Sequence, residues 1–163
     1  MNHLATTTAA AVRSFFTFRL GKRLHGIEVL HVREISPLLP MTPVPQSPPA
    51  VRGLVNLRSR IYLVLDLRPL MGFPSVECAE TSRLVILKPE IGQDLGILVE
   101  QGGDIAHVRA DQIEPSAGAG DLSGEGASSL VVGICKLESE LMVLVDPRRI
   151  VEAVTTLFEK GSR

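Results

Sequence analysis

Tryptophan is absent from this sequence, tyrosine occurs once, and aromatic residues fill only 4% of its 163 positions. A chain so poor in aromatic faces has few platforms on which bases or sugars stack. Its core falls instead to Val, Leu and Ile. Cysteine is scarce as well. Cys78 and Cys135 are too few to build a disulfide framework, so idle thiols are the expectation. No run approaches the roughly 20 apolar residues of a membrane span. The first dozen residues lack a basic start, and the apolar run at 9–12 is too short for a secretory signal. A soluble, reducing, cytoplasmic setting is expected, with no membrane insertion. Neither sign of charge dominates: 17 Lys and Arg stand against 18 Asp and Glu. The whole chain therefore has no field that draws it to nucleic acid.

Signs of chemistry are missing too. The histidines, His3, His25, His31 and His107, lie neither at helical spacing from one another nor near acidic or thiol partners at ligand spacing. No metal site and no cofactor are expected. A G-x-S-x-G nucleophile motif is absent, and the glycines of 118–126 follow no strand–helix phosphate pattern. Asp66 and Asp146 each follow an apolar strand, which invites a paired-carboxylate reading. That chemistry needs two carboxylates sharing a proton, with a small residue and a Gly after each. Leu67-Arg68 and Pro147-Arg148 follow instead, and helix capping accounts for both aspartates. The sequence does not read as an enzyme.

What is present is β-patterning. Residues 1–14 read as a tail, with order beginning near Ser14. Phe16, Phe18 and Leu20 alternate with Thr17 and Arg19, and residues 24–29 return as the second arm of a hairpin. Six prolines between Pro37 and Pro49 exclude a helix or central strand and leave a stiff loop. Pro48 or Pro49 starts a helical turn through 51–53, followed by strands from Leu54 and over 61–65. Asp66 caps a short turn that stops at Gly72. Strands are expected over 84–87, 95–99 and 105–108, the last after a break at Gly102-Gly103. Residues 116–129 read as a Gly- and Ser-rich loop. A last hairpin, 130–137 with 141–145, leads into Asp146-Pro147 and an amphipathic helix carrying Ile150, Val151, Val154, Leu157 and Phe158. Residues 159–163 read as a second tail.

The two halves echo each other. Gly26-Ile27-Glu28-Val29 resembles Gly96-Ile97-Leu98-Val99, and the strand ending at Asp66 resembles the one ending at Asp146. Short antiparallel strands with tight turns favour small closed barrels, because closure removes exposed edges. The expectation is a mainly β protein of two lobes, about five strands each, sharing an apolar seam.

Phe16-Thr17-Phe18, Gly26 to Val29 and Val32-Arg33-Glu34-Ile35 resemble the opening of the CheW family. Pro45, Pro48 and Pro49, then Val51-Arg52-Gly53-Leu54-Val55-Asn56-Leu57-Arg58, resemble its most distinctive segment. The likeness continues through Leu65-Asp66-Leu67-Arg68, Gly96 to Val99 and Val131 to Asp146. It implies two five-stranded SH3-like barrels over residues 15–158 and a non-catalytic adaptor. One surface would bind the regulatory domain of a CheA-type histidine kinase. Another would bind the cytoplasmic tip of methyl-accepting receptors, whose hairpin docks in an apolar groove between the lobes. Val32, Ile35 and Leu57 match the groove positions, although each also suits a plain barrel core. Glu34 and Arg58 match a charged pair beside the groove, and Asn56 completes the site or simply satisfies a turn.

Two positions depart from the family pattern. Ser59 stands where a Gly is usual, which costs energy if the backbone there needs positive φ. The 116–129 loop lacks apolar anchors apart from Leu122, in a region the family uses for a second kinase contact in arrays. Arg52, Arg58, Arg60 and Arg68 crowd one region, and the competing reading is a small barrel that binds a ligand or nucleic acid through Arg52, Arg58 and Arg60, with salt-sensitive affinity.

Overall fold

The computed structural model of the protein describes residues 11–116 and 129–161. Among them lie β1 (Val12–Leu20), β2 (Arg23–Glu28), β3 (Val32–Pro37), β4 (Val51–Leu57), β5 (Arg60–Asp66) and β6 (Arg83–Leu87). β7 (Leu95–Val99), β8 (Gln101–Arg109), β9 (Ile113–Pro115), β10 (Val131–Lys136) and β11 (Leu141–Val145) complete the strands. Single 3-10 turns at Val29–His31 and Ala110–Gln112 lead into β3 and β9. α1 (Leu67–Leu70) is one turn, and α2 (Pro147–Gly161) ends the described chain.

The strands form two sheets, ordered β8-β1-β2-β11-β10-β9 and β3-β6-β7-β5-β4. A bridge from Thr42 to Leu54 brings the chain after β3 back onto β4, as β9 returns onto β10. The fold class is the one expected: mainly β, in two small lobes with short helical turns and a terminal helix.

The sequence echoes prove to be structural equivalents. Each sheet holds one parallel pair, β5 on β7 and β11 on β2, with Val64 opposite Gly96 and Leu144 opposite Gly26. A bulge falls between Val51 and Gly53 in one sheet and between Val131 and Gly133 in the other. Asp66 N donates to Ala50 O at 2.7 Å, and Asp146 N donates to Leu130 O at 3.1 Å. The lobes are nevertheless not the two halves of the sequence. Each sheet combines the hairpin of one repeat with the capped strand pair of the other. Parallel neighbours cannot be joined by a tight turn, so the exchange between repeats supplies each lobe with its parallel pair.

Burial explains the apolar runs. Phe16, Phe18 and Ile27 from one sheet meet Leu65, Val85 and Ile97 from the other in a shared core. Each lobe also has its own interior, built on Tyr62, Val64 and Ile86 in one and on Phe15, Met142 and Leu144 in the other. β7 and β11 therefore bury both faces. Ile97 and Val99 face the shared core while Leu98 faces the lobe interior. Two-sided burial removes the alternation of a half-exposed strand. At roughly 1.5–3 kcal/mol for each large side chain buried, the shared core binds the lobes into one unit.

Several boundaries differ from expectation. β1 begins at Val12 rather than Ser14, because Arg13 is tied to Glu28 and Val12 pairs with Arg109. Residues 51–53 are strand, not helical turn. Val51 N closes a turn onto Pro48 O, and Val51 then pairs with Leu65. A Cβ on Gly53 would lie 2.6 Å from Thr42 O, so that close backbone approach requires glycine. Gly102 and Gly103 continue β8 instead of breaking it, pressed against Arg83 and Thr17. α2 runs to Gly161, past the expected end at 158, with Ile150 and Val154 buried but Leu157 and Phe158 partly exposed. Residues 1–10, 117–128 and 162–163 lie outside the described set, so most of the expected 116–129 loop and N-terminal tail is not placed, while 159–161 of the expected C-terminal tail extend the helix.

Candidate functional site

The hairpin β4–β5 turns on Arg58 and Ser59, with φ of 52° and 68°. Positive φ at both central residues is the signature of a primed two-residue turn, whose twist matches the flanking strands. Ser59 therefore does occupy a glycine-favouring position. The turn keeps its form because Ser59 N donates to Asn56 Oδ1 at 3.0 Å. Asn56 is thus a turn residue, exposed and facing its own backbone.

Arg58 reaches from this turn to Glu34 on β3, and the two form an ion pair by a direct hydrogen bond. The Glu34 contact raises the Arg58 pKa above its ordinary value. Arg58 is largely exposed and Glu34 is less so. So exposed a pair contributes little to stability. What it fixes is the position of two charges across the gap between β3 and the β4–β5 turn.

The expected apolar positions do not share one surface. A bulge between Val32 and Glu34 resets the facing of β3. Val32 and Ile35 pack against the shared core, whereas Leu57 packs against the interior of its own lobe. All three are half-buried. Glu34 and Arg58 come together, and Leu57 lies beside them in sequence. Of the three apolar residues, only Val32 lines the open groove between the lobes.

That groove has a volume of about 750 Å³ and is flanked by Val12, Val29, Leu30, Val32 and Lys88. Val12 and Leu30 are each 66% exposed, the highest values among the large apolar residues described. Sequence reasoning missed both. Val12 fell within the tail, and Leu30 lay just past the expected second strand, in no assigned element. The signal available was an apolar residue between two strands that nothing in the local pattern required to be buried.

The arginine cluster is neutralised. Arg52 pairs with Asp66 at 2.8 Å, Arg60 with Asp94 at 3.0 Å, Arg58 with Glu34 and Arg68 with Glu100. Four guanidinium groups, each on its own carboxylate, leave no basic stripe to follow a phosphate backbone. The paired-aspartate reading fails as well. Asp66 Oδ1 accepts from Arg68 N at 3.0 Å and Asp146 Oδ1 from Arg148 N at 2.9 Å, each aspartate serving the start of its own helix. His107 Nδ1 and Ser14 Oγ are 2.8 Å apart. His25 is buried against Phe18, and burial lowers its pKa to about 4. Both cysteines are free thiols, and burial raises the Cys135 pKa. Among the described residues no cluster of three or more His, Cys, Asp or Glu is placed to hold a metal ion.

Two interlocked β-lobes with a largely apolar groove between them, bordered by the Arg13–Glu28 pair, define a scaffold fold. The CheW-like domain family matches residues 14–155, and the chain belongs to that family. A chemotaxis protein CheW of Rhizobium meliloti (strain 1021) is 29% identical over 135 residues, covering 82% of this chain and 84% of the relative. The chemotaxis protein CheW of Thermotoga maritima is 25% identical over 151 residues, covering 91% and 95%. The crystal structure of the scaffolding protein TtCheW from Thermoanaerobacter tengcongensis superposes with a TM-score of 0.72 at 24% identity, over 83% of this chain and 89% of that one. Among the described residues no helix is long and apolar enough to cross a membrane.

Proposed function

We propose that this chain is a non-catalytic cytoplasmic adaptor that couples methyl-accepting chemoreceptors to a CheA-type histidine kinase. In this reading the cytoplasmic hairpin tip of the receptor lies in the groove between the lobes. The kinase contributes its regulatory domain, and the Glu34–Arg58 pair sets register at the edge. The observation that carries the proposal is Leu30 beside Val12, two aliphatic side chains held 66% in solvent at the mouth of an interlobe groove. A rigid 3-10 turn presents Leu30 to that groove, so little conformational freedom is lost on docking.

The test is titration calorimetry with a purified receptor cytoplasmic fragment and, separately, the kinase regulatory domain. The wild-type chain binds both. Leu30→Asp weakens receptor binding at least tenfold and leaves kinase binding intact, as loss of a desolvated anchor requires. Arg58→Glu weakens one of the two complexes by about tenfold, and adding Glu34→Arg restores it, because the pair acts through geometry and not net charge. Absence of binding to either partner ends the proposal. Unchanged binding by Leu30→Asp removes the groove assignment.

A further inference from the structure

The two lobes place the same apparatus at the same point, and among the described residues only one of them is covered. In the β3–β7 lobe Asp66 caps α1 and is 2% exposed. Its Oδ2 accepts from Arg52 Nη1 at 2.8 Å and from Ser75 Oγ at 3.1 Å. Arg52 also donates to Val76 O at 3.2 Å, and Arg68 donates to Pro74 O at 2.7 Å. The extended segment around residues 74–78 thus lies across the cap. The space left beneath it is only about 10 Å³.

In the other lobe Asp146 caps α2 in the same way, with Arg148 in the place of Arg68 and Val132 in the place of Arg52. Here the chain does not turn back. α2 continues to Gly161, so the counterpart of the 74–78 segment is not provided by the residues after the cap. A cavity of about 320 Å³ remains, lined in part by Arg13, Glu28, His31, Val132, Asp146 and Arg148. Arg13 and Glu28 are bonded to each other at 2.9 and 2.8 Å and also border the interlobe groove. Asp146 Oδ1 is occupied by Arg148, but its Oδ2 has no partner among the described residues. The Arg148 side chain is 59% exposed where that of Arg68 is 12%.

We propose that this cavity is a docking seat for an extended segment of a partner protein that presents a serine or threonine hydroxyl next to an unpaired backbone carbonyl. The 74–78 segment shows what the equivalent seat takes. Ser75 donates to Asp66 Oδ2, which also accepts from Arg52, and the carbonyl of Pro74 meets the arginine two residues past the capping aspartate, while the Val76 side chain stays 40% exposed. Asp146 Oδ2 supplies the acceptor and Arg148 the donor. Val132 and Ile113 line the apolar side of the cavity. The seat is additional to the receptor groove proposed above and does not depend on it.

The probe is an acetylated, amidated peptide copying residues 73–79 with Cys78→Ser, titrated into the ¹⁵N-labelled full chain. Amide shifts are expected at Val132, Asp146 and Arg148 and not at Arg52 or Asp66. Replacing the peptide's hydroxyl-bearing Ser75 by Ala is expected to weaken binding about tenfold, the effect of losing one charge-assisted hydrogen bond. Asp146→Asn, which keeps a capping oxygen, weakens the Ser peptide similarly but not the Ala peptide. No shift at millimolar peptide overturns the proposal, including the case in which other residues of the chain already fill the seat. Shifts with increasing protein alone would assign the seat to a second copy and overturn it equally. Equal affinity of the Ser and Ala peptides would do the same.

Discussion

Asp66 and Asp146 occupy equivalent points of the two lobes, yet Asp66 is sealed under its own chain and Asp146 borders an open cavity. The difference lies in the path of the chain beyond each cap. After α1 a loop runs back across the lobe to reach β6, whereas α2 leaves along the shared core. One repeated plan therefore yields a structural ion-pair network on one side and a recessed recognition surface on the other. The buried carboxylate of Asp66 holds Arg52 and Ser75 while it caps α1. A capping carboxylate beside solvent mainly serves the first turn of its helix.

Mutation can break this contrast. The largest effect is expected at Asp66. Asp66→Ala strands Arg52 and Ser75 and should cost about 3 kcal/mol in urea unfolding. Asp146→Ala should cost only about 1 kcal/mol, the worth of a cap. Equal losses at the two sites would show that the seal over Asp66 has no energetic weight.

His25 sharpens the comparison, because its equivalent beside the other parallel-strand glycine is Leu95. Burial favours neutral His25 and brings its pKa from 6.5 to about 4. The unfolded chain therefore binds the proton first as pH falls. Stability present above pH 6.5 is lost on descending towards pH 4, by about 3 kcal/mol in total. His25→Leu, which copies the other lobe, should remove that component from a plot of unfolding free energy against pH. A variant curve parallel to wild type would mean that His25 takes up its proton as readily in the fold as in the unfolded chain.

The smallest effect is expected at the β4–β5 turn. Ser59→Gly relieves a positive φ of 68° and should stabilise the chain by up to about 1 kcal/mol. Unchanged or lower stability would show that the Asn56 bond already offsets the cost.

Much of the local structure was legible. Alternation located β1, Asp-Leu and Asp-Pro marked both caps, and the two echoes pointed to a duplicated plan. The misses share a cause. Val51 to Gly53 looked helical after two prolines, but pairing with β5 and contact with Thr42 decided for strand. Gly102 and Gly103 looked like a break, but neighbouring side chains filled the space they leave. At the candidate site the Glu34–Arg58 pairing was legible as a family match. That Val32 and Ile35 share the face of the common core was not, because the bulge in β3 resets facing between them, and Leu57 on β4 faces the interior of its own lobe.

Sequence alone determined the strand content, the repeated plan and both helix caps, because each depends on residues within a few positions of one another. The tertiary structure decided which repeat supplied each hairpin to each lobe, which apolar residues stayed in solvent, and which aspartate was sealed. Those outcomes depend on contacts between residues far apart in the chain, whose burial no local pattern records.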